Sequence, residues 1–285
     1  MEAQVYARLR PVFGAGPAEF VIFGVKQARA CVFAGTLLAL ILLSRMAYPF
    51  EGLARYDFLF CAALALQIFL VASGLEEKRE VVVIALFHGV ATAMELFKTS
   101  DAIGSWHYPE ACVLAIGTVP LFAGFMYSAV GSYIARVWRI FDFRFEHFPP
   151  LGALLVIAVL AYANFFSHHF IADIRWPLLV AILLLMRRTT VWFTVVETPR
   201  RMPLSLGLGL VALFIWFAEN LATLGGIWLY PNQATTWHMV SPQKILAWFL
   251  LMFMSFVMVA ALHRRELRRG PDVPGPRRRV SSFGV

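Results

Sequence analysis

The chain has 285 residues, 60% of them hydrophobic and only 15% charged. A soluble domain carries about 25% charged residues, so this composition argues against a water-soluble bundle. The formal net charge is +8, but the basic residues gather between and beyond the apolar runs. That places them on a membrane rim and argues against a nucleic-acid partner.

Residues 1–27 hold Arg8, Arg10, Glu19 and Lys26, with Pro11 and Pro17 interrupting any apolar core. This is not the pattern of a cleavable signal peptide. The stretch "EFVIFGVKQARA" reads as an interfacial helix on a bilayer. Eight apolar helices follow, at 28–46, 55–74, 80–98, 111–135, 150–167, 171–187, 204–223 and 244–262. The expected fold is therefore an all-α polytopic membrane bundle spanning residues 28–262, because runs of roughly 18 apolar residues suffice to cross a bilayer. The fifth and sixth helices are the shortest, and their junction "NFFSHHFIADIRW" is too polar for lipid unless it lines a cavity. Between the sixth and seventh, "RRTTVWFTVVETPRR" carries a β-like run that suggests a short hairpin. Residues 263–285, "HRRELRRGPDVPGPRRRVSSFGV", form a basic tail expected to be disordered and drawn to anionic lipid. Cys31, Cys61 and Cys112 are scattered over apolar segments, as small packing residues are.

Loop charge sets the expected orientation. With the N-terminus in the cytoplasm, 20 of the 25 Lys and Arg residues fall inside and 5 outside, alternating loop by loop. Both termini are then cytoplasmic and the helix number is even.

The sequence repeats itself once. "GSWHYP" begins at Gly104 and "GIWLYP" at Gly226, although Trp and Tyr number only eight apiece. Glu95 and Thr99 precede the first string, and Glu219 and Thr223 precede the second. Helices three and seven run in the same direction, so the strings predict a parallel repeat of two four-helix halves. Each glutamate lies about fifteen residues into its helix, roughly 22 Å from the inner side. A carboxylate at that depth needs a partner or a wet cavity.

On helix three, His88, Thr92, Glu95 and Thr99 share one face by spacing. On helix five and its extension, Asn164 and His168, then His169 and Asp173, repeat the four-residue spacing. Gly124, Ser128 and Ser132 form a small-residue row on helix four, and Pro120 predicts a kink beside Glu95. Interhelical bonding by these groups is one reading. A metal site from His107, His168, His169 and Asp173 is a second, but no HExxH or spaced histidine pair supports it, and no metal or other cofactor is assigned. An acid–base or proton site is the third. It places Glu95 and Glu219 as the catalytic pair. Its substrate-binding lining is His88, Trp106, His107, Tyr108, Asn164, His168, His169, Asp173, Arg175, Asn220, Trp228 and Tyr230. An interfacial aromatic belt is the plainer account of the Trp and Tyr residues.

The strings "GSWHYPE", "VPLFAGFMYSAVGSYI", "NFFSHHFIADIRW" and "FIWFAENLATLGGIWLYPNQ", followed by "KILAWFLLM", resemble the YoaT-like family of bacterial integral membrane proteins, which is grouped under a domain of unknown function. The resemblance implies a multi-pass protein of the bacterial inner membrane and supplies no catalytic residues. Glu95 followed by "IGSWHYPEACVLAIGTVP" is also similar, over a short stretch, to membrane carotenoid cyclases and hydratases. That second resemblance implies acid chemistry on isoprenoid double bonds. The expected function is a membrane enzyme acting on a lipophilic small molecule in an outward-facing polar pocket. The alternatives are a secondary transporter that protonates the same glutamates, and a non-catalytic scaffold or sensor.

Overall fold

A computed structural model describes residues 2–264 and 267. The rest of the basic tail, with its expected disorder and lipid affinity, lies outside the described residues.

Among the described residues, ten α-helices carry the fold: α1 (Glu2–Phe13), α2 (Ala15–Ala30), α3 (Val32–Met46), α4 (Arg55–Ala72), α5 (Lys78–Lys98), α6 (Ala123–Ile140), α7 (Leu151–Ser167), α8 (Arg175–Leu185), α9 (Leu204–Leu224) and α10 (Lys244–Leu262). The eight helices expected from the apolar runs are α3 to α10. Among the described residues, four of these helices, α4, α5, α9 and α10, are long and apolar enough to cross a membrane. The pair α2 and α3, bent by 73° at Cys31, makes a fifth candidate if it is a single broken span. Large apolar side chains such as Phe69, Val159, Leu184 and Phe214 are mostly exposed on the outside of the bundle. So contiguous an apolar exterior suits lipid better than water.

Two boundaries differ from the sequence reading. The fourth helix was expected from residue 111 and begins at Ala123. Residues 113–122 instead form a hairpin of β1 (Ala115–Ile116) and β2 (Val119–Pro120). Gly117 has φ 57° in its turn, a conformation that suits glycine and the primed turns of tight hairpins. The Asp57 carboxylate at the start of α4 accepts the Val113 and Leu114 N–H groups at 2.8–3.2 Å, which holds this segment off the helix axis. Pro120 therefore sits in a strand and kinks nothing. The sixth helix is also shorter than expected, because Asp173 accepts the Arg175 N–H at 3.0 Å and starts α8 there.

The predicted hairpin is present as β4 (Thr190–Thr194) and β5 (Pro199–Pro203). β3 (Arg144–Glu146) adds to β4, giving an antiparallel sheet in the order β3-β4-β5. α2 lies against this sheet, with Lys26 Nζ donating to Thr194 O at 3.0 Å. We call this the sheet end of the bundle. Residues 99–122 and 225–243 form the other, the loop end.

Helix packing follows a recurring plan. α3 packs on α4 and α6, and α5 packs on α6; α7 packs on α8 and α10, and α9 packs on α10. α3 also touches α9, and α5 touches α7. A capping box at Glu77 and Glu80 starts α5, with Glu77 N–H donating to Glu80 Oε2 at 2.7 Å. The small-residue row of α6 brings it close to α5. The His88 ring lies over Gly124, the Phe87 ring lies over Gly131, and Ser128 Oγ donates to Ile84 O at 3.2 Å. A Cβ on Gly124 would overlap the His88 ring, whereas a Cβ on Gly89 meets nothing.

Overpacking of this kind costs about 1–3 kcal/mol. Gly124→Ala is therefore expected to lower the melting temperature in detergent by several degrees, while Gly89→Ala leaves it level or raises it. Equal effects from the two substitutions would refute the close α5–α6 contact.

Candidate functional site

The two repeated strings meet each other. His107 and Leu229, each three residues after its string's glycine, form an antiparallel bridge. His107 N–H donates to Leu229 O at 3.0 Å, and Leu229 N–H donates to His107 O at 2.9 Å. The leading glycines Gly104 and Gly226 turn the chain with φ of 52° and 67°. At this one pair equivalent residues face one another, and because the pairing is antiparallel Trp106 lies toward Tyr230.

Each glutamate sits in a cage of aromatic donors. Glu95 is 1% exposed. Its Oε2 accepts Trp106 Nε1–H at 2.9 Å and the Tyr108 hydroxyl at 2.8 Å, and its Oε1 accepts the Tyr127 hydroxyl at 2.6 Å. Glu219 is 3% exposed. Its Oε1 accepts the Tyr230 hydroxyl at 2.6 Å, and its Oε2 accepts Trp248 Nε1–H at 2.7 Å. In both cages the loop supplies a donor eleven residues after the glutamate, Trp106 in one and Tyr230 in the other. The following helix supplies a further donor, Tyr127 on α6 and Trp248 on α10. The cages touch where the Trp106 and Tyr230 rings meet edge to face, with centroids 6.2 Å apart. Lys244 Nζ stands 4.3 Å from the Tyr230 ring centroid and 6.0 Å from that of Trp106.

The start of α4 locks both loops. Arg55 binds Glu110 in a two-pronged pair at 2.8 and 2.5 Å and reaches Gly225 O at 3.4 Å. Tyr56 donates to Ile227 O at 2.8 Å. A buried arginine with a matched carboxylate is a strong, geometrically specific link.

A third cluster lies at the ends of α5 and α7. Lys98 is buried, and its Nζ is 2.7 Å from His169 Nε2 and 3.4 Å from His168 Nε2. Asn164 holds the turn beneath them. Its Nδ2 donates to Asp173 Oδ1 at 3.1 Å, and its Oδ1 accepts Ile174 N–H at 3.1 Å. Asp173 pairs with Arg175 at 2.5 Å, and this hydrogen-bonded guanidinium keeps its carboxyl well below the usual range. Burial pushes both histidines below the usual imidazole value; the Lys98 charge adds to the effect, and the Asn164 carbonyl opposes it at His168.

The single pocket expected from the sequence is thus three neighbouring groups. Glu95, Trp106 and Tyr108 come together; Glu219 and Tyr230 come together; His168 and His169 meet Lys98, beside Asn164, Asp173 and Arg175. Four expected lining residues serve elsewhere. The His88 ring packs over Gly124, edge-on to Phe125. His107 contributes backbone, and its side chain is exposed. Asn220 Nδ2 donates to Trp216 O, and its Oδ1 accepts Val240 N–H at 2.9 Å, fixing the last loop. Trp228 packs with the α3–α4 core and reaches the second cage only through a hydrogen bond to Tyr230. Among the described residues, no cluster of three or more His, Cys, Asp or Glu is placed to hold a metal. Sequence reasoning missed Arg55, Tyr127, Lys244 and Trp248 as functional groups. Only Arg55 and Lys244 carried a usable signal, as charges at the first residues of apolar helices.

A cavity of about 30 Å³ adjoins the Glu95 cage. Its walls include Met94 of α5, Tyr127 of α6, Tyr162 of α7 and Met254 and Met258 of α10. Tyr127 belongs to both the cavity wall and the cage.

The lowered histidine values carry a pH signature. The fold favours neutral imidazoles, while the unfolded chain takes up protons below about pH 6.5. Unfolding therefore binds protons, so stability holds above that value and falls as the pH drops through it. Lys98, Arg175 and Asp173 are the charged groups facing the pair. The melting temperature is expected to decline from about pH 7.5 to about pH 5.5, and the double change His168→Gln, His169→Gln should flatten that decline. An unchanged slope would mean that these imidazoles are not the groups responsible.

Comparison with known proteins places the chain. A family model described as a protein of unknown function, DUF817, matches residues 19–256. The uncharacterised protein YoaT of Bacillus subtilis (strain 168) is 41% identical over 244 residues, covering 86% of this chain and 91% of that protein. Among solved structures, a cross-linked MvINS trimer is similar at a TM-score of 0.46 and 13% identity, over 70% of this chain and 98% of that one. That likeness is too distant to assign a fold. The family match and the YoaT identity, each extending over most of the sequence, show that the chain belongs to the DUF817 family.

Proposed function

We propose that the protein is a multi-pass enzyme of the bacterial inner membrane that carries out acid–base chemistry on a lipophilic isoprenoid or lipid substrate. The observation that carries this reading is Tyr127, which lines the cavity and bonds Glu95. When Glu95 carries a proton, a hydroxyl so placed can hand its own proton to a substrate carbon and take that of Glu95, which is left as the carboxylate. A proton leaving a neighbouring carbon returns by the same path, so a double-bond shift or ring closure needs no co-reactant. The aromatic faces of the cages would favour developing positive charge, and the Glu219 carboxylate adds a second negative group beyond the Trp106–Tyr230 contact.

The topology we propose has eight crossings, with both termini cytoplasmic and the loop end outside. The chain alternates ends in support of this. Even the short α8, 11 residues or about 16 Å at helical rise, joins Asp173 at the loop end to Thr190 at the sheet end. In the same reading, α3–α6 and α7–α10 are two halves of a parallel repeat. The matched packing α3–α6 with α7–α10, α5–α6 with α9–α10, and α3–α9 with α7–α5 supports it. The bridge between equivalent residues 107 and 229 lies where an axis relating the halves would pass.

Matched carboxylates in two parallel halves also suit a proton-coupled transporter, the second reading. Lipid and metabolite profiling separates them, using hosts that lack the gene and carry the parent, Glu95→Gln, Tyr127→Phe or Glu219→Gln. Tyr127→Phe and Glu95→Gln are expected to leave a precursor accumulated and its product depleted about tenfold or more, as loss of a general acid does. Full restoration by both would sink the enzyme reading. A compound redistributed across the membrane without chemical change would favour the transporter.

A further inference from the structure

We propose that the seam between α5 and α7 binds an anionic amphiphile, with its phosphate or carboxylate headgroup on Lys98 and His169, His168 orienting the Lys98 ammonium, and its chain running toward the cavity beside Tyr127. This names the substrate class of the site just described and rests on that reading.

Lys98 is the first argument. It is 5% exposed, and buried lysines are normally paired with a carboxylate. Here the ammonium instead faces two imidazoles, with no ion pair to Asp or Glu among the described residues. His168 Nδ1 is 2.8 Å from Asn164 O, which can only accept, so that nitrogen carries the proton and Nε2 faces Lys98 bare. The nearby carboxylates are already engaged, Asp173 by Arg175 and Glu219 by Tyr230 and Trp248. Lys98 therefore carries a positive charge that no carboxylate among the described residues bonds, Asp173 acting on it only at a distance, and it keeps donor capacity beyond its two histidine contacts. His169 is exposed, so the cluster reaches the surface at the loop end.

The seam is the second argument. Phe87, Ala91 and Met94 line the cavity from α5, and Lys98 continues that row by helical spacing. From α7, Tyr162 lines the cavity, and Phe166 and His169 continue its row four and seven residues on. Phe97 packs against Phe166 at 5.0 Å and against His169 at 5.8 Å, and the Tyr162 hydroxyl donates to Val90 O at 3.0 Å, so these contacts hold the two faces together between Lys98 and the cavity. The same two helix faces thus carry a cation at one end and an apolar slot at the other. Lys98 is about 6 Å along the axis from Met94, so headgroup and first methylenes are in reach together. A cavity of about 30 Å³ admits only a few methylene groups. Met94, Met254 and Met258 in its wall are the side chains most able to shift for a longer chain.

Binding to the full protein in neutral phosphatidylcholine nanodiscs tests the assignment, with three probes. Dioctanoyl phosphatidic acid has both the anion and the chains, dioctanoylglycerol has the chains alone, and inorganic phosphate has the anion alone. Phosphatidic acid is expected to bind saturably, with each of the other two weaker by about tenfold or more. Lys98→Met and His169→Gln should each weaken phosphatidic acid by a similar factor; His169→Gln alters only an exposed residue and carries the test if Lys98→Met does not fold. Unchanged affinity in the variants overturns the headgroup site. Dioctanoylglycerol binding as tightly as phosphatidic acid overturns the role of the anion. Inorganic phosphate binding as tightly shows a free-anion site and overturns the amphiphile. The metabolite profiles keep the two proposals apart. Binding lost in Lys98→Met while Glu95→Gln still restores the profile upholds this site and sinks the acid–base reading; the converse sinks the site alone.

Discussion

A carboxylate buried in an apolar bundle must be given hydrogen-bond donors, and that requirement organises the loop end of this protein. Leaving such a charge unpaired costs several kcal/mol. Backbone N–H groups within a helix are already committed, so the donors must come from side chains. Indole and phenol groups suit this role because each joins one polar atom to a large apolar body that packs well. Glu95 takes three such donors and Glu219 takes two. Each cage draws on its own loop and on the next helix, so α5 is fastened to α6, and α9 to α10, through a carboxylate.

The repeated strings have a double task under this constraint. Their aromatic residues aim inward as donors, while their backbones pair with each other at His107 and Leu229. The second copy is two residues shorter between glutamate and glycine, and the donors shift to match. Tyr230 takes the place that Trp106 holds in the first copy, and Trp228 is released into the α3–α4 core. The cages also differ in what surrounds them. The first adjoins a cavity through Tyr127, whereas the second sits beneath Lys244. The same device thus supports unequal surroundings, which is why one half is the better candidate for chemistry.

Much of the fold was legible because its signal is local. Long apolar runs mark the eight helices α3 to α10, and β-branched and aromatic residues mark strand β4 of the hairpin. Glu95 and Glu219 stood out because a charge deep in such a run demands an explanation. The site was less legible because its partners are distant in sequence. Tyr127 and Trp248 lie 32 and 29 residues beyond their glutamates, where they look like ordinary aromatic residues of an apolar helix. Lys98 reads as a rim charge until α7 brings His168 and His169 over it. The start of α6 was misplaced for a similar reason. Asp57, 56 residues away, captures Val113 and Leu114 and keeps the segment extended.

The sequence by itself determined most of the helical segments, the apolar character of the bundle, and that two carboxylates lie late in long apolar runs. Those properties follow from composition and periodicity within a single element. Only the tertiary structure decided which donors meet each carboxylate, that the two strings pair with one another, and that a buried lysine is left with imidazoles in place of an acid. Such outcomes depend on which helix faces meet, and no single helix encodes that alone.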